Sequence, residues 1–309
     1  MDHTLQRQGR AEPDASGQDV SAVLIAGPTA SGKSALALEI AGELGGEIVN
    51  ADSMQVYGVL DRLTARPSQK EMARVPHHLY GHVSPRTAYS TGLWVEEAAR
   101  AIAGIRGRGA VPVVVGGTGL YFRALTGGLS DMPAIPADIR ESLRARLEQE
   151  GIEPLHEELS RLDPEMAGRL RPADRQRIVR ALEVVMATGQ SIARFQGRPG
   201  PQIIDPSKAR CLVLDPDRAV LHARINARFA RMVAEGAVKE VENLMALGVP
   251  AQHPAMKAIG VGPISEYIRG DLILDEAIER SRAATRQYAK RQLTWFRNQL
   301  GAEWQRLQS

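Results

Sequence analysis

Four short apolar runs punctuate the chain, three of them followed by a signature of their own. Residues 22–26 run into Gly27-Pro28, 47–51 into Asp52, and 111–115 into Gly116-Gly117-Thr118; 211–214 follows a long charged stretch. Runs this short and unalternating predict strands covered on both faces, the habit of a parallel sheet. Ala35, Leu36, Leu38, Ile40, Ala41 and Leu44 recur at helical spacing between the first two, and a second helix is predicted over 93–107. Strands alternating with helices predict an α/β fold built on a parallel sheet.

From 131 to 205 the strand signal disappears. Leu143, Leu147, Leu155, Leu159, Leu162, Ile178, Leu182 and Val185 recur at helical spacing among charges, bounded by Pro133 and Pro136 and by the Gly/Pro cluster at 197–201. This predicts a small helical insertion domain inside a core made of 21–130 and 206–309. Long helices are predicted after 214, broken near the Pro and Gly residues between 248 and 270. Residues 1–20 are polar, which predicts a disordered tail without a signal sequence. No apolar run approaches the roughly 18 residues of a membrane span.

Composition narrows the class. With 43% hydrophobic and 24% charged residues, the 309-residue chain is neither disordered nor membrane-embedded. A single cysteine excludes a disulfide scaffold and a cysteine-based zinc module, and suits a reducing cytoplasm. The net charge of +3 hides an asymmetry: 12 basic against 12 acidic residues over 1–130, 11 against 13 over 131–205, and 16 against 11 over 206–309. Residues 280–297 hold six basic side chains and no acidic one. At 100° per residue, Arg282, Arg286, Lys290 and Arg297 fall on the side of Ala289, Leu293, Phe296 and Leu300. That placement predicts cations facing a phosphate or a buried carboxylate, with snorkelling stems as the plainer alternative.

The strongest chemical signal is Gly27-Pro28-Thr29-Ala30-Ser31-Gly32-Lys33-Ser34, between a predicted strand and a predicted helix. This is the nucleotide-binding P-loop pattern: backbone N–H groups cradle a phosphate chain, Lys33 adds a charge, and the Ser34 hydroxyl can hold Mg²⁺. Asp52 ends the second strand in Asn50-Ala51-Asp52-Ser53-Met54-Gln55, and Thr118 ends the third. Ligands of open α/β sheets sit at these carboxyl ends. Asp52 can accept a proton or hold a metal through water, and Thr118 can donate to a phosphate or a base; helix capping is the plainer role for each. The third strand leads to Gly-Gly-Thr and not to an acidic residue that would hold Mg²⁺ beside an attacking water, which disfavours a motor or switch ATPase.

Three further groups are weaker. Gln176, Arg177 and Arg180, with Ile178 and Val179 between them, can read a nucleic-acid loop or form a solvated face. Arg224 and Arg228 stand one helical turn apart and can clamp a leaving diphosphate. His77 and His78 lack further ligands at metal spacing, which favours a structural or RNA-contact role.

Taken in order, GPTASGKS (27–34), NADSMQVY (50–57), TARP (64–67), PHHL (76–79), GGTGLYF (116–122), QRIVRALEV (176–184), AMKAIGV (255–261) and KRQLTWF (290–296) resemble the tRNA dimethylallyltransferase family over about 22–300. The resemblance implies a P-loop fold and transfer of a dimethylallyl group from dimethylallyl diphosphate to N6 of adenosine 37 in the anticodon loop of tRNA. It implies that the P-loop holds the diphosphate of an isoprenoid, with Mg²⁺ on Ser34, that Asp52 is the base, and that Thr118 holds phosphate or orients the flipped base. It implies tRNA contacts at Asp52, Ser53, Met54, Gln55, Thr118, Arg140, Gln176, Arg177, Ile178, Val179, Arg180, Lys257 and Gly260. The chain departs from the family pattern at Leu63 and at Arg66, and at Val261, where an aromatic residue is usual. With one cysteine it resembles the bacterial form, expected to act as a cytoplasmic monomer.

Other readings share parts of these motifs. A small-molecule kinase needs the same P-loop and strand-end Asp, and leaves the insertion, GGTGLYF and the basic last helix without a role. An adenylate isopentenyltransferase prenylates a free nucleotide, and dependence on tRNA separates it. A non-catalytic tRNA-binding protein has no need of Lys33, Asp52 and Thr118 together.

Overall fold

The computed structural model describes residues 20–130, 132–197 and 200–308. The expected tail over 1–20 therefore lies, apart from Val20, outside the described residues. The core is a six-stranded sheet with every pairing parallel: β1 (Val23–Ala26), β2 (Glu47–Asn50), β3 (His77–His78), β4 (Pro112–Gly116), β5 (Arg210–Leu214) and β6 (Trp304–Leu307), in the order β3-β2-β4-β1-β5-β6. Ala26 is level with Gly116 and Val213, and Asn50 with Val115. The segments leaving β1, β2 and β4 thus emerge side by side at one edge, the edge at which such sheets bind ligands.

Both faces are covered. Val23, Ile25, Ile48, Val113, Val115, Leu212 and Leu214 pack on Ala37, Leu38, Ile40 and Ala41 of α1 (Lys33–Leu44). The opposite face meets α3 (Thr91–Gly107) through Trp94, Ala98 and Ile102, and α4 (Gly119–Gly127) through Tyr121 and Phe122. Burying one large aliphatic or aromatic side chain is worth about 1.5–3 kcal/mol, so these two layers, not the strand sequences alone, hold the sheet. The lone Cys211 is buried there, as expected for a strand thiol. A four-residue helix, α2 (Gln69–Met72), starts on a reciprocal Ser68–Glu71 cap.

Between Gly128 and Gly200 the chain builds α5 (Ala137–Gln149), α6 (Glu153–Leu162), α7 (Pro164–Arg169), α8 (Arg175–Thr188) and α9 (Ile192–Gln196). Their apolar side chains, among them Leu143, Leu155, Leu159, Ile178, Leu182 and Val185, form a cluster separate from the sheet's. The outgoing and returning connections meet where the Gly200 N–H donates to the Leu129 carbonyl at 2.7 Å. Beyond β5 come α10 (Arg218–Ala234), α11 (Ala237–Ala246), α12 (Val261–Arg269) and α13 (Leu274–Gln299). The Pro/Gly region between 248 and 270 contains α12 as well as the breaks on either side of it.

Two strands were not predicted. β3 has only two residues, and β6 carries Gln305 and Arg306 around a single buried anchor, Trp304. The face expected for the last helix also differs. Its buried stripe is Ala277, Ser281, Thr285, Ala289, Gln292 and Phe296; Lys290 and Arg297 are exposed, Arg297 pairing with Asp215 at 3.0 Å. Arg282 and Arg286 are half-buried, and Arg286 donates to Asn226 at 2.8 Å. Small and polar residues line the contact, so an apolar count along the helix misplaced the stripe.

Glu47 opens β2 as a buried carboxylate, bound by Arg108 at 3.0 and 2.7 Å and by His78 at 2.6 Å. His78 is thereby engaged by an acidic partner that its sequence neighbours did not reveal. The hydrogen bonds from Arg108 hold the Glu47 carboxyl down at about 2, against the opposing effect of burial. A depressed carboxyl stabilises the fold fully above its unfolded pKa of about 4.5 and loses that contribution as pH falls towards 2. Glu47→Gln is expected to lower the melting temperature at pH 7 and to flatten its decline between pH 4.5 and pH 2. Melting curves against pH check this; parallel curves for the two proteins would contradict it.

Candidate active site

The loop from β1 to α1 wraps tightly because Ala30 and Gly32 take left-handed backbone, with φ of 64° and 93°. Gly32 caps α1, so Gly32, Lys33 and Ser34 lie at its positive end, where first-turn amides lack intrahelical partners. Ser31 is buried beside Gly27, and Ser34 is exposed. The Lys33 ammonium donates to the Pro28 carbonyl at 3.3 Å. Burial pushes its pKa down to about 8; nearby Asp52 opposes that shift, and Arg228 adds to it.

Arg228 reaches the loop from α10, where its guanidinium donates to the Thr29 hydroxyl. Burial lowers it to about 10, with Asp52 again opposing. Arg224, one turn earlier, is exposed. Of the two arginines read from the sequence, the structure puts Arg228 on the P-loop.

Asp52 and Thr118 close the other side. Asp52 caps no helix: its Oδ1 accepts the Met54 N–H at 2.9 Å in a local turn, and its N–H donates to buried Asn50 at 2.8 Å. Thr118 precedes α4 without a side-chain cap; its Oγ1 accepts the Ser53 N–H at 3.0 Å and donates to the Ser53 hydroxyl at 3.3 Å. Thr118 therefore ties the loop after β4 to the loop after β2, and the capping alternatives fall away. Trp94 braces both from behind, donating to the Asn50 carbonyl at 2.9 Å and stacking on Tyr121 at 3.8 Å.

A cavity joins Thr29, Asp52 and Arg228. Thr29, Asp52 and Arg228 form its polar end; Leu63, Ile225, Phe229, Met232, Ala258 and Ile259 form its apolar end, with Met54 and Tyr288 alongside. Burial first, and then the Asp52 charge, push the Tyr80, Tyr121 and Tyr288 hydroxyls up, so all three stay neutral. An anion site, a carboxylate and an apolar wall within one cavity suit a substrate with a charged end and a hydrocarbon end. Among the described residues no cluster of three or more His, Cys, Asp and Glu stands ready to hold a metal. The Ser34 hydroxyl, exposed at the start of α1, fits an ion brought in with a phosphate substrate, which keeps its waters and takes few protein ligands.

The expected RNA contacts divide by place. Asp52 and Met54 line the cavity; Ser53, between them in the chain, is held by Thr118. Gln55 donates to the Thr64 and Ala65 carbonyls at 2.8 and 3.1 Å and so shapes the cavity loop. Lys257 is exposed, whereas Gly260 is buried at φ 99° against Leu63 and Phe229. Arg140, Gln176 and Arg177 are exposed on the insertion; Arg177 makes only a long 3.6 Å pair with Asp174, and Arg180 pairs with Glu183 at 2.8 Å. Ile178 corrects the expectation: its side chain is fully buried in the insertion's own apolar cluster, and Val179 packs on that cluster. Sequence reading assigned no role to Tyr288 or Gln292; a neutral polar residue at a core register of a helix is the signal that would have found Gln292.

Two family models match the chain: IPP transferase over residues 55–299 and isopentenyl transferase over 20–80. The chain is 60% identical to a tRNA dimethylallyltransferase of Rhizobium etli over 93% of this chain and 97% of that one. It is 58% identical to one of Rhizobium meliloti, over 94% and 96%. Among solved structures it is similar to a tRNA isopentenylpyrophosphate transferase of Bacillus halodurans, with a TM-score of 0.66, 35% identity, and coverage of 94% of this chain and 90% of that one. It is also similar to a eukaryotic dimethylallyltransferase solved acting on tRNA, with a TM-score of 0.80, 27% identity, and coverage of 93% and 73%. Similarity of this extent, over a chain whose strand-end loops bring Asp52 and Thr29 to one cavity with Arg228, places it in the tRNA dimethylallyltransferase family, in its bacterial form.

Proposed function

We propose that the protein transfers the dimethylallyl group of dimethylallyl diphosphate to N6 of adenosine 37 in the anticodon loop of tRNA. The observation that carries this is the single cavity with Arg228 and the P-loop at one end, an apolar wall at the other, and Asp52 between them. The bond between C1 of the allyl group and its phosphate oxygen breaks, and its electron pair leaves with diphosphate. A bond forms from N6 to C1, and the N6 proton passes to the Asp52 carboxylate. An exocyclic amine is a poor nucleophile, so stabilising the leaving group matters most, and Lys33, Arg228 and the first amides of α1 are aimed there. Mg²⁺, bound through the Ser34 hydroxyl and the diphosphate, would add further charge neutralisation.

The target base must leave its loop stack to reach Asp52 and Thr118, which suits a single-stranded anticodon loop. We assign the insertion over 131–205 as a domain that grips the stem-loop through placed side chains, since it has no basic surplus. The exposed groove formed by Lys290, Arg291, Thr294 and Trp295 on α13 offers a second phosphate contact. No helix among the described residues is long and apolar enough to cross a membrane. Because one chain supplies every group named, we read it as a monomer acting on tRNA; its lone buried cysteine suits the reducing cytosol.

The direct test offers the protein an anticodon stem-loop with labelled dimethylallyl diphosphate, or with labelled ATP, and locates the product by mass spectrometry. Prenylated adenosine 37 supports the reading; phosphorylation, or transfer only to free adenylate, overturns it. Replacing Arg177 and Arg180 together with Ala is expected to weaken stem-loop binding about tenfold and to make its salt dependence shallower by about two phosphate contacts. An unchanged slope in a salt titration would remove these arginines from the RNA face.

A further inference from the structure

Gln292 is a polar residue on the buried stripe of α13, between Ala289 and Phe296. Its Oε1 accepts the N–H of Thr29 in the P-loop at 3.0 Å, and its Nε2 donates to the carbonyl of Gly117 after β4 at 2.8 Å. One amide therefore joins two strand-end loops. Thr29 in turn receives Arg228, and Thr118, the neighbour of Gly117, is tied to Ser53 beside Asp52. Gly117 closes the fit: a Cβ there would stand 2.2 Å from Gln292 Nε2 and 3.5 Å from Asp52 Oδ2.

We propose that Gln292 is a positioning residue that sets the distance between the loop holding the leaving group and the loop holding the acceptor amine. This deepens the reaction proposed above and rests on it. The residue type follows from the geometry. The site needs one acceptor and one donor side by side, at the reach of a long side chain. Glu has the reach and lacks the donor, Asn has both and lacks the reach, and Met fills the space with neither. A buried amide on a helix is costly unless both ends are satisfied, and here both partners are functional loops. Because Gln292 takes the Thr29 N–H, that amide is engaged before any phosphate arrives. Thr29 is left to meet Arg228 through its hydroxyl, and the amides at the start of α1, from Gly32 to Ser34, remain for the anion beside Lys33 and Arg228.

A displaced loop alters the attack geometry more than the binding of either substrate, and misplacement of about 1 Å costs about 100-fold in rate. Gln292→Met and Gln292→Glu are therefore expected to lower kcat by about 100-fold, with KM for the stem-loop and for the diphosphate donor within about threefold of wild type. Gly117→Ala presses on the same amide, so the double variant Gly117→Ala/Gln292→Met should lose little more than either single one. The placement has its own readout, hydrogen exchange of the Thr29 amide in the ligand-free full chain. Exchange should be slow in wild type and at least tenfold faster in Gln292→Met. Equal exchange in both proteins, or kcat within threefold of wild type, overturns the proposal. Gln292→Glu, which keeps size and polarity, decides the kinetic question if Gln292→Met does not fold. Failure of the wild-type protein to transfer a prenyl group overturns the reaction instead, and leaves the exchange result to judge Gln292.

Discussion

Asp52→Asn is expected to lower prenyl transfer by about 10²–10⁴-fold while the fold and stem-loop binding persist. Asn is the sharper substitution because its amide oxygen can still accept the Met54 N–H that Asp52 accepts at 2.9 Å. Asp52→Ala, expected to abolish transfer as well, also releases that turn. The sign of the effect on the donor separates the base from a mere structural charge. Asp52 is the anion whose field opposes the pKa depression of both Lys33 and Arg228. Removing it takes a negative charge away from a site that binds an anion, so KM for the diphosphate donor should not rise. A variant that turns over near the wild-type rate would end the base assignment. One that fails only through a higher donor KM would recast Asp52 as a phosphate or metal ligand.

Much of this site was legible because its residues are consecutive and follow strands. The pattern at 27–34, Asp52 after the second apolar run and Thr118 after the third were enough to place three loops at one sheet edge, and the strand registers put them there. The long-range partners were not legible. Gln292 meets Thr29 across 263 positions, and Glu240 fixes the cavity loop by accepting the N–H groups of Asp61, Arg62 and Leu63 at 2.7–3.0 Å. No local rule announces such partners, because their chemistry is completed by chain far away in sequence. The last helix shows the same limit in reverse. Its core contact uses Ser281, Thr285 and Gln292, which an apolar periodicity discounts, so that periodicity turns Lys290 and Arg297 inward whereas the fold exposes both.

The charge asymmetry acquires a physical division from this arrangement. Lys33 of the P-loop and Arg228 of α10 are few, half-buried and depressed in pKa; the exposed cations of α13 and of the insertion are more numerous. In the proposed reaction the first pair meets a charge that develops on one leaving group, where low dielectric makes each cation count. The exposed set is the one proposed to meet an RNA backbone, where screening makes number and placement count. The first set should show in the rate of transfer and the second in the salt dependence of binding.

Lys33→Met tests the first set, and its expected result has two opposite signs. Transfer should fall by about 10²–10³-fold, since the ammonium proposed to stabilise the leaving diphosphate is gone. The ligand-free protein should become more stable. A lysine lowered from 10.5 to about 8 carries its charge at pH 7 at the expense of the fold. Below pH 8 the full destabilisation is present; between pH 8 and 10.5 the folded state releases its proton first and stability recovers, because there the unfolded state binds more protons. Removing the charge should therefore raise stability at pH 7 by roughly 2 kcal/mol, several degrees in melting temperature for a chain of this size. The bond from Lys33 to Pro28 that is lost in the exchange is a long one, 3.3 Å, and offsets little of this. Saturating inorganic diphosphate should reverse the order, since it repays the buried charge of wild type and has less to bind in the variant. Thermal melts in anion-poor buffer, with and without diphosphate, check both signs. A variant less stable than wild type without ligand would show that the loop does not hold Lys33 under electrostatic strain.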